Sequence, residues 1–387
     1  MSKLLKAKKL IECINEAGYE AYIIGGYVRD LLLGFDNQDI DIATSAHPTV
    51  VKQLFSKTIL TGIDHGTVTV IFEGVKFEVT TYRTDGKYLN NRRPKDVHFV
   101  SSLQTDIKRR DFTINALALD NYGNLIDYVD GKKDIEAKLI RTVGAPEARF
   151  NEDALRMLRA FRFVAKLGFN IEQETLSAIK KVGSLIQNIS AERILMELEK
   201  MIYGNYFFVA IEVMINTKFH HFLPHLKSGI EKIAVTKFLP TDLSEFLTIC
   251  AVCGAYHEIV ELPLSKQMIR KITLVYEMYS LEISEFSNLI LYRNGLESCL
   301  LTNKLNVFLR NKDDLKEKII AKYNSLPIYK ICDLKFKGDD IINLYSKKPG
   351  SWIGMVLDDL SLKVLNGELK NEYNELKNYL INKHGIE

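Results

Sequence analysis

Two aspartates near the start of the chain have the residue type and the spacing of metal ligands. Asp39 and Asp41 flank Ile40 in the segment DIDIAT, which is predicted to be a β-strand. Alternate residues of a strand point to the same face, so both carboxylates would lie side by side while Ile40 faces the core. Such a pair is tolerable when a divalent cation neutralises it, and hard oxygen ligands suit Mg²⁺ that also contacts phosphate oxygens. The alternative is the solvent-facing edge of an ordinary strand.

A glycine pair upstream has the features of a phosphate-binding turn. Gly25 and Gly26 lie between the predicted strand AYII and a short predicted helix that contains Arg29. Glycine lets backbone N–H groups approach a phosphate, while the helix N-terminus and the arginine add positive charge. The pattern predicts a triphosphate-binding turn beside the acidic pair. A tight turn that only packing requires is the alternative interpretation.

A third group of polar residues lies on the predicted helix NEDALRMLRAFRFVAKLGF. Asp153 and Arg156 are three residues apart and would be neighbours on its surface, and Arg159 and Arg162 continue the same ridge. Aspartate only accepts hydrogen bonds and arginine only donates them. One such pair would fit the exocyclic amine and the ring nitrogen that cytosine and adenine share, and would reject uracil and guanine. The alternative is an intrahelical ion pair on a solvated face.

The elements that must position these residues change character along the chain. Up to about residue 145, predicted strands and helices are mixed, and the runs TVTVIF and VKFEVTTY predict an antiparallel hairpin. From about Glu147 onward, apolar residues recur three or four apart and helix follows helix. We therefore expect an α/β head, with a mixed sheet and helices, followed by an elongated all-α remainder.

The composition is that of a globular protein with two to four packed units. Of 387 residues, 47% are hydrophobic, and neither a membrane-spanning segment nor a signal peptide is expected. The five cysteines are scattered, which favours reduced thiols and a cytoplasmic location. Cys250, Cys253 and His257 lack a second CxxC pair, so core packing is predicted rather than a zinc site. The net charge of +3 is small, but basic residues cluster at 83–95 and 107–110.

The motifs GGYVRDLLLG and DIDIAT resemble the signature of nucleotidyltransferases of the poly(A) polymerase and class II CCA-adding type. The resemblance continues in order through DIKRRDFTINAL, DYVDGKKDI, NEDALRMLRAFRF and SAERILME. It implies that Arg110, Asp111 and Asn115 contact the incoming nucleotide, with Arg110 among the catalytic residues. It also implies a hinge at Gly131. Glu78 occupies the place of a third active-site carboxylate in related transferases, or is an ordinary surface residue.

The resemblance also implies a division of the chain. It predicts a nucleotidyltransferase head at residues 1–145, a helical neck that selects the base at 146–203, a helical body at 204–295 and a helical tail at 296–387. The tail is similar to that of the short Bacillus-type CCA-adding enzymes. The body and tail would bind the tRNA acceptor arm by its backbone shape. The oligomeric state is not predicted.

The implied activity is template-independent addition of C, C and A to the 3′ end of tRNA from CTP and ATP, with release of pyrophosphate. Two Mg²⁺ ions held by Asp39 and Asp41 would serve the reaction, and Gly26 with Arg29 would bind the triphosphate. CC-adding and A-adding enzymes and poly(A) polymerases are the alternatives, while a noncatalytic RNA-binding protein would be expected to lose an aspartate. The long basic segment 82–97, predicted to be mobile, favours full CCA addition.

Overall fold

The computed structural model describes residues 2–59, 66–85 and 97–384. The chain forms two compact units. The first contains residues up to 234 together with 241–243, and the second contains 235–240 together with 244–387. The first unit thus includes the predicted head and neck and part of the predicted body. The predicted division into four parts stays a prediction.

A mixed seven-stranded sheet forms the centre of the head, with strand order β3-β4-β5-β2-β1-β8-β9. The pairs are antiparallel except β2 with β5, which is parallel. The alternating pattern of β4 and β5 buries one residue in two, as the predicted hairpin requires. The strands in the described residues are β1 (Ala21–Ile24), β2 (Asp41–Thr44), β3 (Thr58–Ile59), β4 (Thr67–Phe72), β5 (Val75–Thr81), β6 (Arg83–Asp85), β7 (Val97–Phe99), β8 (Leu117–Leu119), β9 (Leu125–Asp127), β10 (Leu139–Ile140) and β11 (Asn170–Ile171).

The strand that was predicted to contain both Asp39 and Asp41 is shorter than expected. It begins at Asp41, whose backbone partner is Ile24, the last residue of β1. The chain then leaves the sheet at Gly25, so no strand is left to pair with Asp39 on that side. The N–H of Asp39 instead donates to the side-chain oxygen of Asn37, at 2.8 Å. The prediction that both aspartates lie within one strand was therefore wrong.

Helices cover the sheet and make up most of the remaining chain, which confirms the predicted α/β head followed by a helical remainder. Ile24, Ala43, Tyr82 and Ile107 belong to one buried cluster between the sheet and a helix. The helices of the first unit are α1 (Lys3–Glu16), α2 (Gly26–Leu32), α3 (Pro48–Leu54), α4 (Leu103–Lys108), α5 (Gly131–Glu136), α6 (Pro146–Glu152), α7 (Leu155–Leu167), α8 (Gln173–Val182), α9 (Ala191–Ile202), α10 (Phe207–Asn216) and α11 (Pro224–Thr236).

The long helix predicted from Asn151 onward is two helices. Asp153 has extended backbone angles (φ −139°, ψ 103°) and ends α6, and α7 begins at Leu155. The side chain of Asp153 accepts a hydrogen bond from the N–H of Leu155, at 3.1 Å, which is how aspartate favours a helix start over a helix interior. Asp153 and Arg156 are therefore not neighbours on one continuous helix.

The second unit is helical in the part of the chain that the structure describes, and its core includes Leu291, Phe336 and Leu360. Residues 243–260 are long and apolar enough to span a bilayer, but half of this window is buried within the protein. Gly254 also interrupts the helix with φ +112°. The remaining helices are α12 (Leu243–Cys250), α13 (Tyr256–Val260), α14 (Lys266–Ser280), α15 (Asn288–Arg310), α16 (Lys316–Asn324), α17 (Gly338–Tyr345), α18 (Trp352–Leu365) and α19 (Tyr373–His384).

The cysteines of this apolar stretch divide between core and surface. Cys250 is fully buried, as the core-packing prediction requires, and Cys253 is partly buried. His257 is exposed, so the core-packing prediction was wrong for this residue. The cause is local, because Gly254 ends one helical segment and the short α13 begins in a new direction. The five cysteines, all within the described residues, are thiols rather than members of disulfides.

Candidate active site

A cavity of about 580 Å³ in the first unit brings most of the predicted site residues together. Its wall is formed by the turn before α2, the start of β2, the segment after α4, and the helices α7 and α9. Nine of the eleven predicted residues line it: Gly26, Arg29, Asp39, Asp41, Arg110, Asp111, Asn115, Arg159 and Arg162. The two exceptions are Asp153 and Arg156.

Three carboxylates meet at the acidic end of the site. Asp41 on β2 is paired in register with Glu78 on the parallel strand β5, and Asp39 precedes it by two residues. Burial, followed by repulsion from Asp39 and Glu78, raises the pKa of Asp41 to about 6, although Arg110 and Lys3 oppose the shift. Excess negative charge of this kind, presented by oxygen ligands, fits a divalent metal ion. Glu78 is exposed and is not among the residues that line the cavity.

The backbone of the glycine turn lies close to two guanidinium groups. Gly25 has φ +75° and ψ −135°, a conformation that other residues adopt only under strain. A Cβ atom at Gly25 would lie 3.6 Å from Nη1 of Arg110, and one at Gly26 would lie 3.5 Å from Nη2 of Arg29. Both the tight-turn and the phosphate-binding interpretations therefore fit this position. Arg110 is in turn held by Asp106, at 3.1 Å.

Arg29 is buried and fixed by two partners. It donates from Nε to Asp30, at 2.8 Å, and from Nη1 to the side-chain oxygen of Asn115. Asp30 also accepts from Asn37, at 2.8 Å, and from Lys166 of α7, at 3.0 Å. Asp30 therefore partly neutralises Arg29 and connects the glycine turn to the loop before Asp41 and to α7.

Arg159 and Arg162 lie one turn apart on α7 and share acidic partners. Arg159 donates from Nε to Asp111, at 2.8 Å, and both arginines form ion pairs with Glu197 of α9, at 3.6 and 3.0 Å. Burial alone would raise the pKa of Asp111, but Arg159 outweighs it and holds that pKa well below its usual range. Burial and repulsion from Arg159 lower the pKa of Arg162 to about 10.

One arginine of the cavity wall has a donor without a hydrogen-bond acceptor in the described part of the chain. It is Arg110, whose Nε atom is buried. An unsatisfied buried donor is costly, so this side of the cavity is suited to a ligand with acceptor oxygens. Six cationic residues line the cavity against three acidic ones: Arg29, Arg110, Arg159, Arg162, Lys166 and Lys200 against Asp39, Asp41 and Asp111. This excess suits a polyanion such as a triphosphate.

The predicted base-selecting pair is not assembled. Asp153 accepts from Nη2 of Arg193, at 2.7 Å. Arg156 is buried and donates to Glu152, at 2.6 Å, and to the backbone oxygen of Arg109, at 3.0 Å. Neither the predicted pair nor its alternative, a direct Asp153–Arg156 ion pair, is therefore formed, because the helix break gives each residue a different partner.

Sequence reasoning missed other residues of the cavity wall. Lys166 follows Arg159 and Arg162 at helical spacing and is recognisable from that periodicity. Lys200 lies on α9 and Tyr203 directly follows that helix, and no local pattern connects them with the other lining residues. Gly131 packs against the backbone of Thr113 without room for a side chain, and its role as a hinge stays a prediction. Residues 86–96, the centre of the segment predicted to be mobile, lie outside the described residues.

Comparisons with known proteins agree with this architecture. The chain matches the Poly A polymerase head domain at residues 21–141, the "Probable RNA and SrmB- binding site of polymerase A" at 168–230 and the tRNA nucleotidyltransferase domain 2 at 246–380. It is 37% identical to the CCA-adding enzyme of Anoxybacillus flavithermus, over 97% of this chain and 96% of that protein. It is 38% identical to that of Bacillus pumilus, over 96% and 95%.

Solved structures give the same result. The Bacillus stearothermophilus CCA-adding enzyme in complex with CTP has a TM-score of 0.85 and 34% identity, covering 100% of this chain and 98% of that one. The Thermotoga maritima CCA-adding enzyme complexed with tRNA shares the fold, with a TM-score of 0.64 and 23% identity over 97% and 94% of the two chains. The chain therefore belongs to the CCA-adding enzyme family of tRNA nucleotidyltransferases.

Proposed function

We propose that this protein adds C, C and A in turn to the 3′ end of tRNA, using CTP and ATP and releasing pyrophosphate. The observation that carries the proposal is the cavity in which Asp39 and Asp41 lie beside an excess of arginine and lysine. Relatives of nearly the same length are CCA-adding enzymes, which favours full CCA addition over CC-only addition, A-only addition or poly(A) synthesis. Relatives solved with CTP and with tRNA support the substrates.

The acidic end of the site would hold the metal ion. Members of this nucleotidyltransferase family need a divalent metal, and we propose Mg²⁺ on Asp39 and Asp41 because carboxylate oxygens are the ligands it prefers. When bound, Mg²⁺ makes the 3′ hydroxyl of the RNA more acidic and stabilises charge on the leaving pyrophosphate. Glu78 adds negative charge beside Asp41 and would strengthen the attraction for the cation.

The basic wall would bind and orient the triphosphate. Arg110 has a buried Nε donor without an acceptor in the described residues, and phosphate oxygens would accept from its guanidinium group. Gly26 lies next to Arg29, which Asp30 and Asn115 hold in place. Fixing the triphosphate in this way places the α-phosphorus in line with the attacking hydroxyl, and such positioning supplies most of the rate in phosphoryl transfer.

Base selection would require Asp153 and Arg156 to break their present hydrogen bonds and to bond to the base instead. Arg156 now donates to Glu152 and to a backbone oxygen, and Asp153 accepts from Arg193. We propose that nucleotide binding releases these groups, so that aspartate accepts from the exocyclic amine and arginine donates to the ring nitrogen of C or A. Each charge-assisted hydrogen bond contributes about 1.5–3 kcal/mol, enough to offset partners of the same kind. Asp111 and Asn115 would contact the sugar.

Omitting one nucleotide at a time tests the proposal. Purified protein is incubated with tRNA that lacks the CCA end, with Mg²⁺, and with CTP, ATP or both. We expect products that end in CC with CTP alone, complete CCA ends with both nucleotides, and no product that is extended by A before the two C residues. The Asp39→Asn and Asp41→Asn variants should be inactive, and chelation of Mg²⁺ should stop the wild type. Long runs of A with ATP alone would show a poly(A) polymerase instead. Binding of the tRNA by the helical body and tail, and a cytoplasmic location, belong to the same proposal.

A further inference from the structure

Three side chains in residues 219–231 form a cluster with the composition of a transition-metal site. His220 and His221 lie in a single 3₁₀ turn, and Glu231 lies on α11, two turns into the helix. One nitrogen of each histidine and one oxygen of the glutamate lie within 4.8 Å of one another. None of the three lines the active-site cavity. We propose that these residues bind one Zn²⁺ or a similar divalent transition metal, independently of the catalytic metal site.

Both ring nitrogens of His220 face acceptor oxygens, which favours a metal ion at this position. Its ring is buried, with Nδ1 3.3 Å from the backbone oxygen of Met214 and Nε2 3.2 Å from Oε1 of Glu231. Both neighbours only accept hydrogen bonds, and a neutral imidazole carries one N–H. If Nδ1 donates to the carbonyl, Nε2 directs its lone pair at a carboxylate oxygen, and a cation between them removes the repulsion. A histidine that binds metal through one nitrogen and donates the other N–H to a backbone carbonyl is the usual arrangement.

The distances fit such an ion. Zinc bonds of about 2.0–2.1 Å at a tetrahedral angle place two ligand atoms about 3.3 Å apart. The observed separation of Nε2 of His220 and Oε1 of Glu231 is 3.2 Å. His221 is exposed, so a side-chain rotation can bring its ring to the same ion without disturbing the core, and a water would be the fourth ligand. Lys227, which lies 4.0 Å from the same carboxylate oxygen, is partly exposed and can move away.

The competing explanation is a protonated His220 that forms an ion pair with Glu231 and needs no metal. The two explanations differ in the role of His221. This residue is required by a metal site and is irrelevant to the ion pair. It is also the residue of the three that can be changed with least effect on folding, because it is exposed. A matched control is available in His225, an exposed histidine at the start of α11 that is outside the cluster.

The experiment compares Zn²⁺ binding by the wild type, His221→Ala and His225→Ala. Each full-length protein is freed of metal with a chelator and dialysed against increasing Zn²⁺, and the bound metal is measured by elemental analysis. We expect His221→Ala to bind one Zn²⁺ per chain fewer than the other two, or to bind it at least about tenfold more weakly. Zn²⁺ should also raise the melting temperature of His225→Ala more than that of His221→Ala. Exposed Cys13 and Cys332 are present in all three proteins, so they do not affect the comparison.

Equal Zn²⁺ binding by His221→Ala and His225→Ala would overturn the proposal. Equal losses in both variants would overturn it as well, because they would show nonspecific binding to surface histidines.

Discussion

Replacing Asp41 by asparagine should stabilise the metal-free protein at neutral pH while it abolishes activity. Burial and repulsion from Asp39 and Glu78 raise the pKa of Asp41 from 3.8 to about 6. The folded protein therefore binds this proton more tightly than the unfolded chain does. The stability that this group contributes is complete below about pH 4 and is lost as the pH rises to about 6. A difference of about two pKa units corresponds to about 3 kcal/mol, and asparagine avoids this loss.

Differential scanning calorimetry in the presence of a chelator measures the effect. At pH 8 the transition of the first unit should lie roughly 5–10 °C higher in Asp41→Asn than in the wild type, and at pH 4 the two should nearly coincide. Calorimetry is preferable to tryptophan fluorescence, because the single tryptophan, Trp352, lies in the second unit. Asp36→Asn is a matched control, since Asp36 is exposed and its change should alter stability by less than about 0.5 kcal/mol.

In the presence of Mg²⁺, the wild type should become more stable than Asp41→Asn. Binding to the folded wild type raises its melting temperature, whereas Asp41→Asn lacks a ligand and should respond little. The reasoning would be refuted if Asp41→Asn were no more stable than the wild type at pH 8 without metal, or if the same gain persisted at pH 4. The first result would mean that Asp41 is not destabilised by its neighbours, and the second that the gain has a cause other than charge.

Three further predictions concern other parts of the site. Asp153→Ala combined with Arg156→Ala should increase incorporation of UTP and GTP relative to CTP and ATP about tenfold or more, and strict selection at reduced rate would contradict base selection by this pair. Replacing residues 86–96 with a few Gly and Ser residues should leave CC addition largely intact and suppress the terminal A, as sequencing of product ends would show; equal loss of both would indicate damage to the head. Asp111→Asn should lower the free energy of unfolding by roughly 1.5–3 kcal/mol at pH 7, because it leaves the partly buried Arg159 without its closest carboxylate, and urea titration that shows no change would contradict this.

Local patterns predicted the parts of the site that depend on local geometry. The close spacing of Asp39 and Asp41 and the glycine pair before Arg29 predicted residues that line one end of the cavity, although Asp39 lies before the strand rather than in it. The hairpin between β4 and β5 followed from strict alternation and the Glu73-Gly74 turn. These features depend on residues a few positions apart, for which strand and turn geometry is nearly fixed.

The features that were missed depend on contacts between distant residues. Helical periodicity continues through Asp153, but its extended backbone angles break the helix there. The bond from its side chain to Leu155 and the ion pair with Arg193 accompany the break, and the ion pair joins residues forty positions apart. The register of β2 with β5, which places Glu78 beside Asp41, is a parallel pairing across nearly forty residues and has no local pattern. Glu78 was a candidate for this place only through the family resemblance. The approach of Lys200 to the cavity depends on how α9 packs on α7, which spacing within one helix does not determine.

Sequencing the 3′ ends of extended tRNA tests the central claim most directly. The protein is given tRNA that lacks CCA, all four nucleoside triphosphates and Mg²⁺, and Asp41→Asn is treated in parallel. We expect that wild-type products end in CCA and are not extended further, without U or G, and that the variant leaves the tRNA unchanged. Products that contain runs of A, products that stop at CC, or extension by the Asp41→Asn variant would contradict it.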